Sequence, residues 1–351
     1  MKKKITIIGA GMMGSALAFP AAENGHEVHI VGTCLDDEII DGYIATRKHE
    51  KFCRPFPENV QFHYFKDWKQ VTEGSDFVIG GVSSFGVDWF LEEILTQLDP
   101  NMPVLSVTKG LRATEDGTLL SYPGYWESEL AKRGINRTIC AVGGPCTSYE
   151  LVFMDPTEVG FCGKDSDQLR MMKEAMARPY YHISLTNDVI GLESAVALKN
   201  AFAMAVTLAV GLNIRWHGED EPQHYNSQAG TFSQAVRETH ALMQIQGGTF
   251  ESECIGLGDL YVTIFSGRTR RCGVLMGQGM NYDQVTEALA GITLESLVIT
   301  RVMGNAIRRK AELGLLDLRD FPLLMHIVDI LDKGAADADL PWDSFTFEHL
   351  K

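Results

Sequence analysis

Two lysines in this chain could carry acid–base chemistry. Lys199 stands beside Asn200 in a helical stretch, Glu193 to Leu212, that is otherwise small and apolar. An amine on a helix that is apolar on nearly every side needs a polar partner or a wet cleft, because burial removes its hydration. The plainer interpretation is a lysine whose stem reaches the surface. Lys109 directly follows a predicted strand, and its plainer interpretation is a solvated loop lysine.

An aspartate and an arginine could take part in the same chemistry as these two lysines. Asp259 lies in the segment Gly256 to Leu260, which predicts a glycine-rich apolar turn, and Arg268 lies in the run Ser266 to Arg271. Asp259 could instead be a helix N-cap and the arginines a solvated basic run. An arginine in a small-residue turn is nevertheless well suited to bidentate phosphate binding. Oxidising a secondary alcohol by hydride transfer needs a base for the hydroxyl proton, and either lysine could serve.

A glycine motif near the N-terminus predicts the hydride carrier. The apolar run Ile5 to Ile8 leads into Gly9-Ala10-Gly11-Met12-Met13-Gly14, a helical pattern follows, and a second strand-like run covers Glu27 to Val31. In this strand–turn–helix context the motif predicts dinucleotide binding, with a tight turn at Gly9, pyrophosphate approach at Gly11 and helix packing at Gly14. Thr33 follows the second strand and could bond a ribose 2′-hydroxyl or a 2′-phosphate, so both NAD and NADP remain open.

The pattern of elements predicts an α/β Rossmann-type doubly wound sheet followed by an all-α C-terminal domain. Strand-like runs alternate with helical segments through the first half, at Phe77 to Val82, Val104 to Val107, Ile139 to Val142 and Val159 to Cys162. Helical periodicity dominates after about Asp188, so we expect a dinucleotide-binding domain at residues 1–187 and a helical substrate domain at 188–351. The segment Arg215 to Asn226 predicts an exposed loop.

Composition limits the classes of partner. The 351 residues carry a formal net charge of -15, which argues against nucleic acid or an anionic membrane surface. Seven scattered cysteines without metal-ligand spacing predict reduced thiols, a cytoplasmic location and no metal site. No apolar run predicts a membrane span, since the longest candidate contains Lys199 and Asn200.

These motifs together resemble the NAD(P)-dependent glycerol-3-phosphate dehydrogenase family. GAGMMGSALA, SVTKG, GGPCTSYEL, ALKN, IGLGDLYVT and SGRTRR occur in the family's order and approximate spacing over almost the whole chain. The resemblance implies interconversion of sn-glycerol 3-phosphate and dihydroxyacetone phosphate with NAD or NADP, and a possible homodimer. It also implies Lys199, Lys109 and Asp259 as catalytic residues. The substrate-binding residues it implies are Asn200, Thr263, Arg268, Thr269 and Cys146, and the cofactor-binding residues are Gly9, Gly11, Met12, Met13, Gly14, Thr33, Lys109, Ser148, Arg268 and Glu295.

Several departures from the family pattern leave alternatives open. Thr269 stands where the family usually has Asn, Cys146 where many members have Ser, and Gln234 where members often carry Arg. The segment Arg215 to Asn226 resembles an insertion whose His217, His224 and Arg215 could enter the substrate cleft, so another phosphorylated polyol or ketose is an alternative substrate. A catalytically silent dinucleotide sensor is a second alternative, and the 6-phosphogluconate or β-hydroxyacid dehydrogenase superfamily a third.

Overall fold

The computed structural model describes residues 1–291, 294–333 and 339–348. The chain divides into two compact units. The first comprises Met1–Lys109 and Ser121–Glu193, and the second comprises Gly110–Leu120 and Ser194–Lys351. A short hairpin from the first half of the sequence therefore belongs to the second unit, which no local pattern indicated. The predicted division into domains at residues 1–187 and 188–351 stays a prediction.

The first unit is built on an eight-stranded sheet. Its strands in chain order are β1 (Lys4–Ile8), β2 (Glu27–Val31), β3 (Val60–His63), β4 (Phe77–Gly80), β5 (Val104–Ser106), β8 (Cys140–Gly143), β9 (Thr157–Cys162) and β10 (Tyr181–Thr186), and the hairpin of the second unit supplies β6 (Leu111–Ala113) and β7 (Leu119–Ser121). The spatial order is β10-β9-β8-β5-β4-β1-β2-β3. All neighbouring pairs are parallel except β8 with β9, so the doubly wound Rossmann prediction is confirmed.

Helices cover both faces of this sheet. They are α1 (Met12–Glu23), α2 (Asp37–Thr46), α3 (Trp68–Thr72), α4 (Val87–Trp89) with a π-helical continuation Phe90–Leu95, α5 (Tyr122–Lys132), α6 (Ser148–Phe153) and α7 (Ser166–Met176). The central strand β1 contributes to two cores, because successive side chains point to opposite faces. Ile5 and Ile7 pack in one core with Phe19 of α1, and Ile8 packs in the other with Phe90. Burial on both faces explains why this strand is continuously apolar.

The second unit is helical, as predicted, apart from the β6–β7 hairpin. Its helices are α8 (Val189–His217), whose first residues belong to the first unit, α9 (Tyr225–Gln246), α10 (Phe250–Phe265), α11 (Gly267–Gly277), α12 (Tyr282–Ala288), α13 (Glu295–Glu312) and α14 (Pro322–Lys333). Among the described residues, α8 alone is long and apolar enough to cross a membrane, yet 89% of its most apolar window is buried in the protein. Its apolar character is therefore that of a core helix.

Small residues let two helices approach α8 closely. A Cβ added at Gly256 of α10 would lie 2.4 Å from the Cβ of Ala195, and one added at Gly273 of α11 would lie 2.3 Å from the carbonyl oxygen of Met204. No larger side chain fits either contact. The glycines thus specify where α10 and α11 cross the central helix.

One local prediction was wrong, and another is confirmed only in part. The segment Gly256 to Leu260 is not a turn but lies inside α10, where Gly256 serves helix packing. In the predicted loop, Arg215 to His217 continue α8 and Tyr225 begins α9, so only residues 218–224 are non-helical, and most of them are exposed. His217 lies 18 residues beyond Lys199 on one continuous helix, roughly 27 Å along its axis. Entry of this histidine into the substrate site is therefore not supported.

Glu193, in the first unit, is completely buried, and neither carboxyl oxygen has a hydrogen-bond partner among the described residues. Burial raises its pKa to about 8, an effect that the nearby Lys109 opposes. The folded protein therefore holds this proton up to about pH 8, whereas the unfolded chain releases it near 4.5. Rising pH between these values removes stability.

We expect Glu193→Gln to remove this pH dependence. Between pH 5 and 8 the unfolding free energy of the wild type should fall relative to the variant, by roughly 1.4 kcal/mol per pH unit, and the difference should level off above pH 8. Urea unfolding at unit pH steps measures this difference in unfolding free energy. The exposed substitution Glu174→Gln is the matched control. A difference between wild type and Glu193→Gln that stays constant with pH would contradict the assignment.

Glu238 holds the start of α14 in the second unit. Its Oε1 accepts from the Leu323 backbone N–H at 2.6 Å and from Gln234 Nε2 at 2.8 Å, and its Oε2 accepts from the Leu324 N–H at 2.8 Å. Burial raises the pKa of Glu238 to about 7, while these hydrogen bonds favour the charged form. Gln234 therefore has a structural partner in Glu238.

At pH 8, where the carboxylate is ionised, Glu238→Gln should destabilise the protein by about 1–3 kcal/mol, because an amide has a single acceptor oxygen and leaves a buried N–H unpaired. Denaturant midpoints report the change, and exposed Glu251→Gln should stay within about 0.5 kcal/mol of the wild type. Equal midpoints for Glu238→Gln and the wild type would show that this carboxylate does not anchor α14.

Candidate active site

The glycine motif lies at the carboxyl end of β1, where the backbone is tightly packed. Gly9 has φ +112°, and a Cβ there would lie 2.6 Å from the carbonyl oxygen of Gly81. A Cβ at Gly14 would lie 2.6 Å from the carbonyl oxygen of Gly9. Gly11 differs, since its nearest neighbour would be 3.8 Å away and it precedes α1 without any side-chain cap. Gly9 and Gly14 are thus required by packing, and Gly11 leaves the helix N-terminus open to a phosphate.

Two residues that the motif analysis did not assign hold this loop. Asp36 Oδ2 accepts from the Ala10 backbone N–H at 3.2 Å, from the Thr33 N–H at 2.8 Å and from the Thr33 hydroxyl at 2.9 Å. Tyr43 Oη donates to the Ala10 carbonyl oxygen at 2.9 Å. No local pattern marks Asp36 for this role, because a contact across 26 residues has no local signal. Thr33 is consequently oriented by a carboxylate, with its hydroxyl proton directed to Asp36.

The other candidates of the first unit follow neighbouring parallel strands. Lys109 follows β5, and its Nζ donates to the Gly144 carbonyl oxygen at 3.2 Å, directly after β8. Cys146 is half-buried in the same segment, and Ser148 is the buried first residue of α6. Because β1, β4, β5 and β8 run parallel, these residues and the glycine loop share the carboxyl edge of the sheet. That edge is where dinucleotides bind in doubly wound folds.

In the second unit, α8 and α10 bring three candidates into contact. Lys199 Nζ donates to Asp259 Oδ1 at 2.7 Å and to Thr263 Oγ1 at 3.1 Å. The Lys199 side chain is 14% exposed and that of Asp259 is 4% exposed. Asp259 and Thr263 are one turn apart on α10, and the Thr263 hydroxyl donates to the Asp259 carbonyl oxygen at 2.7 Å. The amine is therefore partly buried in a fixed direction rather than snorkelling to the surface.

The remaining candidates surround the start of α11. Arg268 lies in the first turn of α11, and its Nη2 is 3.7 Å from Glu295 Oε2 at the start of α13. The Arg268 side chain is 53% exposed, whereas Thr269 is buried. Asn200 is half-buried next to Lys199. The arrangement offers an exposed guanidinium suited to a phosphate and a shielded amine suited to moving a proton.

Comparison with known proteins places the chain in a family. The sequence model described as NAD-dependent glycerol-3-phosphate dehydrogenase N-terminus matches residues 4–168, and the corresponding C-terminus model matches residues 188–340. The NADP(+)-dependent glycerol-3-phosphate dehydrogenase of Archaeoglobus fulgidus is 31% identical over 98% of this chain and 99% of its own. The glycerol-3-phosphate dehydrogenase [NAD(P)+] of Bacillus pumilus is 28% identical over 85% of this chain and 83% of its own.

Solved structures agree at the level of the fold. Glycerol-3-phosphate dehydrogenase of Plasmodium falciparum superposes with a TM-score of 0.82 at 20% identity, covering 100% of this chain and 97% of the other. The Coxiella burnetii enzyme gives 0.78 at 22% identity, covering 98% of each chain. Together with the two sequence models, which span both units, these matches show that the chain belongs to the NAD-dependent glycerol-3-phosphate dehydrogenase family.

Proposed function

We propose that Lys199 is the acid–base group of an NAD(P)-dependent interconversion of sn-glycerol 3-phosphate and dihydroxyacetone phosphate. As a member of the family, the chain is an oxidoreductase that uses NAD or NADP. The observation that carries the role of Lys199 is the orientation of its amine by Asp259 and Thr263 in a largely buried position. A surface lysine would have neither partner.

The proposed reaction combines hydride transfer at the substrate C2 with proton transfer by Lys199. When bound, the nicotinamide supplies or accepts the hydride at the substrate C2. In ketone reduction the Lys199 ammonium gives a proton to the C2 oxygen, and in alcohol oxidation the neutral amine removes the hydroxyl proton. Asp259 balances the positive charge and fixes the direction of the amine, because it is a buried carboxylate 2.7 Å away. Lys109 and Gly11 serve the dinucleotide in the first unit.

We assign the substrate phosphate to Arg268. Its side chain is 53% exposed in the first turn of α11, and a planar guanidinium is suited to bidentate recognition of a phosphate. Asn200, Thr263 and Thr269 complete the proposed substrate site. Thr269 in place of the usual Asn and Cys146 in place of Ser keep another phosphorylated polyol or ketose as the alternative substrate.

We also propose a cytoplasmic location. None of the seven cysteines, all of which lie in the described ranges, forms a disulfide, and reduced thiols are typical of a reducing compartment.

Lys199→Met should lower turnover by roughly 100- to 10,000-fold while leaving NADH affinity nearly unchanged. Stopped-flow reduction of dihydroxyacetone phosphate and NADH titration measure the two effects. Because the substitution strands the Asp259 carboxylate, we expect a loss of stability that Lys199→Met/Asp259→Asn restores without restoring turnover. Exposed Lys333→Ala is the matched control. Retained turnover in folded Lys199→Met would refute the acid–base role.

Arg268→Ala should raise the KM for dihydroxyacetone phosphate roughly 10- to 100-fold with a smaller effect on kcat, because a charge-assisted pair is lost. Steady-state assays of the phosphorylated substrate and of dihydroxyacetone separate binding of the phosphate from chemistry. Arg271→Ala, an exposed arginine of the same helix, should behave like the wild type. If Arg268→Ala lowered the use of both substrates equally, the phosphate assignment would be wrong.

A further inference from the structure

Glu193 is a buried acid that the proposed reaction does not use. It lies in the second turn of α8, at the end of the first unit, and it is completely buried. Neither Oε1 nor Oε2 has a hydrogen-bond partner among the described residues. Because an unpaired buried polar group destabilises a protein, an apolar side chain of similar size would serve packing better. The carboxyl group therefore needs an explanation other than packing.

Lys109 is the cation that acts on Glu193. The two residues belong to the same unit. Burial raises the pKa of Glu193 to about 8, and the positive charge of Lys109 opposes this rise. Lys109 follows β5, and its Nζ donates to the Gly144 carbonyl oxygen at 3.2 Å. Because Coulomb attraction acts on both groups, an ionised Glu193 would draw the Lys109 ammonium toward itself.

Two thiols near Glu193 stay neutral in mildly alkaline solution. Cys162 of β9 is completely buried, and burial, reinforced by Glu193, raises the pKa of its thiol well above the usual value. Cys140 of β8 lies near Cys162, and burial raises the pKa of its thiol to about 12. Asp188, which precedes α8, also acts on Cys162 and accepts from the Gly191 N–H at 2.9 Å. A proton exchanged by this cluster near pH 8 is therefore assigned to Glu193.

A bound dinucleotide adds negative charge at the edge of the sheet where Lys109 lies. This edge, at the carboxyl ends of β1, β4, β5 and β8, is where dinucleotides bind in doubly wound folds. An anionic pyrophosphate competes with a carboxylate for the same ammonium, and it also makes ionisation of Glu193 less favourable. Binding of the dinucleotide and ionisation of Glu193 therefore oppose each other.

We propose that Glu193 is a positioning residue of the dinucleotide site. The neutral acid leaves the Lys109 ammonium directed to the ligand, and the ionised acid draws the ammonium away. This inference rests on the proposed placement of Lys109 at the dinucleotide. It adds a proton to the binding step, since the protein must return Glu193 to the neutral form when the ligand binds in alkaline solution.

Isothermal titration calorimetry in buffers of different ionisation enthalpy measures this proton uptake on the full-length protein. The ligand is whichever of NADH and NADPH binds more tightly. At pH 8.5 we expect Glu193 to take up roughly half a proton per bound dinucleotide, and at pH 7, where it is already neutral, almost none. The dissociation constant should rise roughly five- to tenfold between pH 7 and 9.5.

Two substitutions of Glu193 test the source of the proton. Glu193→Gln keeps a neutral group of the same shape and Glu193→Leu removes the unpaired carboxyl, so both should fold. Both should bind the dinucleotide without the uptake seen at pH 8.5. Glu174→Gln, at an exposed acid of the same unit, is the matched control and should keep the wild-type uptake. Equal proton uptake in Glu193→Gln and the wild type would overturn the proposal.

Lys109→Met tests whether Glu193 acts through Lys109. At pH 7 it should weaken dinucleotide binding roughly tenfold, because a cationic contact is lost. At pH 8.5 the uptake should disappear, because a buried acid without the opposing ammonium stays neutral. Unchanged affinity would refute the placement of Lys109 and this inference with it, and weakened affinity with full uptake would refute the action through Lys109. Proton transfer by Lys199 is tested separately, by the turnover of Lys199→Met.

Discussion

The ion pair between Lys199 and Asp259 is the constraint on which the organisation of the helical unit depends. Two charges are taken largely out of water at 2.7 Å, and such a pair seldom stabilises a protein, because desolvation offsets much of the Coulomb attraction. Hydrophobic residues of similar volume would pack as well. Its presence in the core therefore supports the proposed acid–base role of Lys199.

The surrounding helices are arranged to hold that pair. Gly256 lies one turn before Asp259 on α10 and lets this helix contact α8 at Ala195, one turn before Lys199. The same pattern recurs on α11, where Gly273 meets the backbone of Met204. Close backbone contact limits the freedom of each helix, so the direction of the carboxylate follows from packing and not from its own rotamer alone.

The first unit achieves comparable rigidity with hydrogen bonds. The glycine loop after β1 has glycines where backbones touch. The carboxylate of Asp36 accepts from the Ala10 N–H, and the hydroxyl of Tyr43 donates to the Ala10 carbonyl oxygen. Both side chains come from outside the motif. Loop geometry is thereby defined before any ligand binds, which lowers the ordering cost of binding.

Much of the architecture could be derived from the sequence, because alternation of apolar strands with helices and the spacing of Gly9, Gly11 and Gly14 are local signals. The isolated position of Lys199 in an apolar helix likewise marked a residue that needed partners. Only the tertiary structure decided which partners. Asp259 proved to be helical, the β6–β7 hairpin joined the distant helical unit, and Asp36 and Glu193 acquired their significance through long-range contacts and burial. Local sequence patterns determine which helices and strands form. Long-range packing determines which polar groups contact each other, which can contact a ligand and which are buried without a partner.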